Sequence, residues 1–177
     1  TYFSSAFTKA ILTAAKIKKG KIFEPGSGGG MACAQLAKKG FEITSMDLSE
    51  NALRKGKSLF KSLSLDGKFT MGDLFHMPIK NEQFDVVFNQ GVMEHFRLAK
   101  MDASAGVKEM MRVVKKDGTL IVPTFSYSFF NKENFVINKT KSKMGIFSEY
   151  IREHQKSIRS SDPNFSVAVI GRHDKYF

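Results

Sequence analysis

Cysteine is nearly absent. A single one, Cys33, excludes an internal disulfide and any zinc site built from several thiolates. With no disulfide to preserve, a reducing cytoplasmic compartment is the expected location. Long apolar runs are missing too. None approaches the ~20 residues a membrane-spanning helix needs, so no span is expected. The first residues lack a basic segment followed by an apolar one, and no secretion signal is read there. There is no internal repeat and no low-complexity segment.

Acidic residues are also in short supply, 17 Asp and Glu against 28 Lys and Arg, for a net charge of +11. Such a balance suits an anionic ligand or nucleic acid. The excess is spread along the whole chain, however, with no basic arm or tail. The densest runs, Lys16 to Lys21 and Asn138 to Lys143, read as solvated faces.

What is present is an ordinary globular composition over 177 residues, enough for one domain, 1–177, with a substantial core. Two hydrophobic periods alternate along it. Phe3, Phe7, Ile11 and Ala14 recur at helical spacing. "KIFEP" is a short buried strand, and "MACAQLAKK" a helix stopped by Gly40. "FEITSMD" is a second strand. Ser49 caps a helix through about Leu63, with Ala52, Leu53, Leu59, Phe60 and Leu63 inward. "GKFTMGD" and "FDVVFNQ" are further strands, the latter apolar on both faces as in the middle of a parallel sheet. A helix through Val107, Met110, Met111 and Val114 ends at a "KKDG" turn before the strand "TLIVP". This alternation predicts a doubly wound, mostly parallel α/β sheet with helices on both faces. Ligands of such sheets bind outside the carboxyl ends of the strands, where strand order reverses.

The strand ends carry the chemistry. After the first strand comes "FEPGSGGG", with glycines at 26, 28 and 30 behind Glu24. A dinucleotide fingerprint needs G-x-G-x-x-G, but its third glycine would fall on Met31 or Cys33. No Gly-Lys-Ser/Thr follows, so a phosphate-cradling loop is excluded as well. Asp47 ends the second strand, where a carboxylate can accept from two ribose hydroxyls. Asp73 follows the third, placed to accept from an exocyclic amine such as adenine's. Glu24 is placed to receive a cationic amino group, directly or through water. Three carboxylates without a phosphate clamp describe a ligand with an amine, a ribose and an adenine.

The blocks "FEPGSGGG", "FEITSMDLSENAL", "GDLFHMPIKNEQFDVVFNQGVMEHF" and "MMRVVKKDGTLIV", in this order, resemble the class I S-adenosylmethionine-dependent methyltransferases. The resemblance is to the small-molecule type that includes ubiquinone and menaquinone C-methyltransferases, and it covers about Ile22 to Val122. It implies a Rossmann-like fold and S-adenosylmethionine as cofactor, with S-adenosylhomocysteine as product. It also implies that Gly26, Ser27, Gly28 and Gly30 approach the methionine and ribose portions, with Glu24 anchoring the turn near the amino group. Asp47 would bind the ribose, Leu48 would pack on adenine, and Asp73 with the backbone of Leu74 would meet the adenine amine. Asn89, Gln90 and Gly91 would line the methionine end. Pro25 and Ser27 depart from the usual aliphatic residue and cysteine, at positions that need not offer a side chain.

The same resemblance divides the chain into an N-terminal lid helix (1–20, with Tyr2 and Phe3), a cofactor core (21–124) and a substrate-side segment (125–177). That last segment holds the aromatics of "PTFSYSFF", a helical-looking "KMGIFSEYIREHQKSIR" and a final antiparallel strand in "NFSVAVIGRHDKYF". A histidine after the fourth strand is more often a packed, hydrogen-bonded residue; should a general base be needed, His95 is the candidate, with Glu94 beside it. No metal is expected. The expected partner is a small-molecule methyl acceptor. A nucleic-acid methyltransferase and a non-catalytic S-adenosylmethionine-binding protein are the alternatives.

Overall fold

The computed structural model describes residues 2–92, 104–125 and 165–171. Helix α1 (Tyr2–Ala15) leads into β1 (Lys21–Pro25), α2 (Met31–Ala37), β2 (Glu42–Asp47), α3 (Glu50–Ser62) and β3 (Lys68–Met71). Then follow β4 (Phe84–Phe88), α4 (Ser104–Val113), β5 (Val114–Phe125) and β6 (Phe165–Gly171). The sheet order is β3-β2-β1-β4-β5-β6. The first five strands are parallel, and β6 lies antiparallel to β5. Among the described residues no helix is long and apolar enough to cross a membrane.

Alternation along each strand builds two cores, one per face. Ile22, Ile43, Val86, Phe88 and Ile121 point to the side covered by α1, α2 and α3. Phe23, Met46, Val87 and Leu120 point to the other, where Met110 and Val113 of α4 meet them. A strand buried on both sides has no polar alternation to show, which is why β1 and β4 read as near-continuous apolar runs. Phe23 stacks on Phe84 at 4.7 Å between ring centroids, and Phe60 meets Phe69 edge-on at 5.0 Å, tying α3 to β3.

Local signals act where the sequence places them. The Ser49 hydroxyl accepts from the Ala52 N–H at 3.2 Å, capping α3. Leu53 and Phe60 are buried on its inner side, but Leu63 stays exposed because the helix ends at Ser62. In α1, Ile11 enters the core and Thr8 Oγ1 donates to Gln35 Oε1 at 3.0 Å, so the helix docks on α2 from Thr8 onward.

One expectation needs correcting. "KKDG" does not form a turn between α4 and the next strand, because β5 already begins at Val114. The pairing passes from Phe84↔Val114 to Val86↔Thr119, so Lys115 to Gly118 form an irregularity inside the ladder. Lys115 Nζ, 2.7 Å from Asp85 Oδ1, holds it against the sheet.

Candidate functional site

From β1 the chain moves outward to β2 and β3, then returns to place β4 on β1's other side. The order reverses between β1 and β4, and the segments after β1, β2, β3 and β4 converge outside their carboxyl ends. The sequence-predicted cofactor residues lie on these four segments, apart from Glu24 within β1 and Asp47 at the last position of β2.

The glycine turn is tied down at its base. The Gly26 and Ser27 N–H groups both donate to the Met46 carbonyl, at 2.7 and 3.0 Å, and the Gly30 N–H returns to Ser27 O at 2.9 Å. Gly26 has φ +70°, and a Cβ there would overlap Val92 Cγ2. Gly28 has φ +53°, yet a Cβ there would meet no heavy atom within 4 Å. The first glycine is demanded by the fold; the second borders open space.

Asp47 closes the other side of that space. Its Oδ2 accepts from the Gly28 N–H at 2.8 Å and its Oδ1 from the Ser49 N–H at 2.9 Å. A carboxylate offers about four lone-pair sites, so two are held by backbone and two remain for hydroxyl donors. Beside it Leu48 leaves 69% of its surface exposed, an apolar face with no protein cover among the described residues. After β3, Asp73 Oδ1 accepts from the Phe75 N–H at 2.9 Å, while its Oδ2 lies 3.9 Å from His76 Nδ1. Leu74 is buried in the core on the α4 face.

Two of the expected polar site residues are buried. Glu24 is only 3% exposed and lies beneath the turn, where its Oε2 accepts from the Cys33 thiol at 3.0 Å. Little of its surface is left for a ligand amine. Burial pushes its carboxyl up to about 8, against the lowering effect of the thiol, and the Asp47 charge adds to the rise. The Cys33 thiol is itself pushed well above its ordinary value, first by burial and then by Glu24. Asn89, expected to line the methionine end, is 1% exposed, and its Nδ2 donates to the Pro25 carbonyl at 2.6 Å. It reaches the site by bracing the glycine turn, because β4 pairs with β1. Gln90 is half-buried and Gly91 exposed with φ +77°. His95, Glu94 and the aromatics from Ser126 to Phe130 lie outside the described residues, as does the helical-looking stretch of residues 143–159.

Sequence reasoning missed two participants. Val92 packs over Gly26, and Cys33 faces Glu24; neither has a sequence signal beyond being apolar. The Ser27 hydroxyl, inside the turn, is buried with no hydrogen-bond partner among the described residues. Such a group leaves one unmet bond next to the open space.

These features fit a neutral-to-cationic nucleoside better than a phosphate ester. The N–H groups of Gly26, Ser27, Gly28 and Gly30 are committed to protein acceptors, no lysine or arginine stands in the turn, and the Asp47 carboxylate borders it.

Comparison with known proteins points the same way. A family model described as a methyltransferase domain matches residues 23–122. A second, described as aminoglycoside 3-N-acetyltransferase, matches residues 93–177, less than half of the chain and mostly outside the described residues. The chain is 31% identical over 107 residues to demethylmenaquinone methyltransferase of Beutenbergia cavernae. It is 26% identical over 108 residues to ubiquinone biosynthesis O-methyltransferase of Bartonella quintana. Each alignment covers 60% of this chain and 41% of the relative. The chain thus spans about two fifths of the length of these curated relatives. Among solved structures, the PH0226 protein of Pyrococcus horikoshii is 27% identical with a TM-score of 0.63, over 73% of this chain and 60% of that one. A Methanococcus maripaludis protein assigned as an S-adenosyl-L-methionine-dependent methyltransferase superposes with a TM-score of 0.68 over 96% of this chain and 84% of its own; at 19% identity it speaks for the fold.

Proposed function

The chain belongs to the class I S-adenosylmethionine-dependent methyltransferases, and from that premise we propose that it methylates a small-molecule acceptor. The observation that carries this reading is the open side of Gly28, bordered by Asp47 and Leu48 and free of any basic phosphate clamp. S-adenosylmethionine, when bound, supplies a methyl group on a positively charged sulfur.

The chain's own residues divide the work. Asp47, fixed by two backbone N–H groups, offers its remaining lone pairs to the ribose hydroxyls. Leu48 covers one face of the adenine, and Asp73 accepts from its amine. The Ser27 hydroxyl gains its missing partner from the amino-acid portion. Glu24 tunes the turn from below. Methyl transfer is an in-line displacement, so alignment of acceptor and methyl group is the protein's main task; positioning of this kind can contribute ~7–11 kcal/mol. A base is needed only where the acceptor must lose a proton, and His95 is our candidate for it.

The relatives named for demethylmenaquinone and ubiquinone biosynthesis support a small ring-bearing acceptor. We assign its recognition to residues 125–177, the stretch of 1–20 around Tyr2 and Phe3 to a lid, and the protein to the cytoplasm.

Ligand-dependent melting tests the reading. S-adenosylhomocysteine at a hundred times its Kd should stabilise by ~2.7 kcal/mol, a rise of about 5–10 °C for a domain of this size. NAD should give none. A shift with NAD and none with S-adenosylhomocysteine would overturn the assignment. Labelled-methyl transfer to quinols, phenols, amines and transfer RNA then identifies the acceptor, with transfer to RNA alone refuting the small-molecule part.

A further inference from the structure

The segment from Asp73 to Gln83 joins β3 to β4 without a helix or strand of its own. Backbone of this kind needs its polar groups satisfied from elsewhere. Here two side chains of α4 satisfy three of them, all at Met77 and Ile79. Arg112 Nη2 donates to the Met77 carbonyl at 3.1 Å, and Nη1 to the Ile79 carbonyl at 2.7 Å and to Asn81 Oδ1 at 2.8 Å. Glu109 Oε2 accepts from the Met77 N–H at 3.0 Å. The two side chains also bind each other, Nε to Oε1 at 2.7 Å and Nη2 to Oε2 at 2.8 Å. The hydrogen bond from Arg112 holds the Glu109 carboxyl below its ordinary value, so the pair is charged at neutral pH.

The clamp sits three residues beyond Leu74. Leu74 in turn packs on Gly106, one turn earlier in α4, where an added Cβ would lie 3.1 Å from its Cδ2 and Cγ. The whole run from Leu74 to Asn81 is therefore referenced to α4. Asp73 immediately precedes it, and its carboxylate is already engaged with Phe75 N–H inside the same run.

We infer that Glu109 and Arg112 are positioning residues for the adenine end of the site, acting through the Met77–Asn81 backbone to fix Asp73. This rests on the reading of Asp73 as the acceptor for the adenine amine. A planar guanidinium can hold three acceptors at once, whereas a lysine ammonium in its place lacks that fixed fork. The pair touches no reacting atom, so its effect belongs to recognition of the adenine rather than to the methyl-transfer step.

The test uses two ligands, S-adenosylhomocysteine and its analogue with hydrogen in place of the 6-amino group. Calorimetry gives the native chain's preference for the first, expected at roughly tenfold or more for one charged hydrogen bond. D73A sets the floor, with the preference gone. R112A, R112K and E109Q are then measured at temperatures where each remains folded. A threefold or larger fall in preference in R112A, or in R112K and E109Q if R112A does not fold, supports the clamp. A preference within threefold of native in those variants overturns it, even where the melting temperature drops, since a purely structural role weakens both ligands alike. If D73A itself leaves the preference intact, the reading of Asp73 fails and the clamp's role falls with it. If D73A abolishes it and the α4 variants do not, only the clamp fails.

Discussion

Replacing Glu24 with glutamine removes a titrating proton from the middle of the fold with almost no change in shape. The native carboxyl, buried against Cys33, has a pKa of about 8 in the folded chain against an ordinary 4.5. Between those values the folded state holds a proton that the unfolded state has released. Stability therefore falls as pH rises, by up to ~1.4 kcal/mol per pH unit, and the loss is complete above the folded value. From pH 5 to pH 7.5 this amounts to about 3 kcal/mol. The glutamine of E24Q cannot ionise, and its carbonyl can still accept from the thiol. Burying its amide adds an offset that is the same at every pH.

The stability difference between E24Q and the native chain should thus shift by about 3 kcal/mol in the variant's favour across that range. Asp85 and Glu109 do not disturb the comparison. Burial raises Asp85, but hydrogen bonds from Lys115 and the Lys21 N–H outweigh it; the Arg112 hydrogen bond lowers Glu109 despite burial. Their contribution is lost only as pH falls through their lowered values, and it is common to both proteins. Urea unfolding followed by circular dichroism is the suitable assay, since the chain has no tryptophan. A difference that stays constant between pH 5 and pH 7.5 would refute the reasoning, because it would mean that Glu24 is already ionised in the folded state.

Two further outcomes follow from the turn itself. G26A should lower stability by ~1–3 kcal/mol in thermal unfolding, through its positive φ and the overlap with Val92; G28A, whose side chain enters open space, should cost less stability and more ligand affinity. D47A should weaken S-adenosylhomocysteine binding by ~1.5–3 kcal/mol in calorimetry, and an unchanged affinity would show that the carboxylate serves only the Gly28 and Ser49 N–H groups.

Features that depend on near neighbours were legible in the sequence. Ser49 caps α3 through a residue three positions away, and the turn glycines, Asp47 and Asp73 announce themselves by following apolar runs. The shared end of the sheet follows from topology, since all the parallel strands run the same way. What stayed hidden depends on pairings across the fold. Asn89 reads as a polar residue after a strand until β4 is known to lie beside β1, when it becomes a brace for Pro25. Arg112 reads as an ordinary helix cation, and its acceptors lie more than thirty residues back in the chain. "KKDG" carries turn chemistry, but Asp85 and the parallel partner keep it in the sheet. Glu24 was found as an acid next to glycines; that it lies under them is a property of β1's alternation and of its partner Cys33.

The brace between Asn89 and Pro25 also sets a timetable for synthesis. The turn, Asp47 and Asp73 have all left the ribosome before the amide that caps the Pro25 carbonyl, which follows 64 residues after it. A nascent chain ending short of β4 carries the lettering of the site without its geometry. Closing a loop of that size costs entropy that only the finished ladder repays.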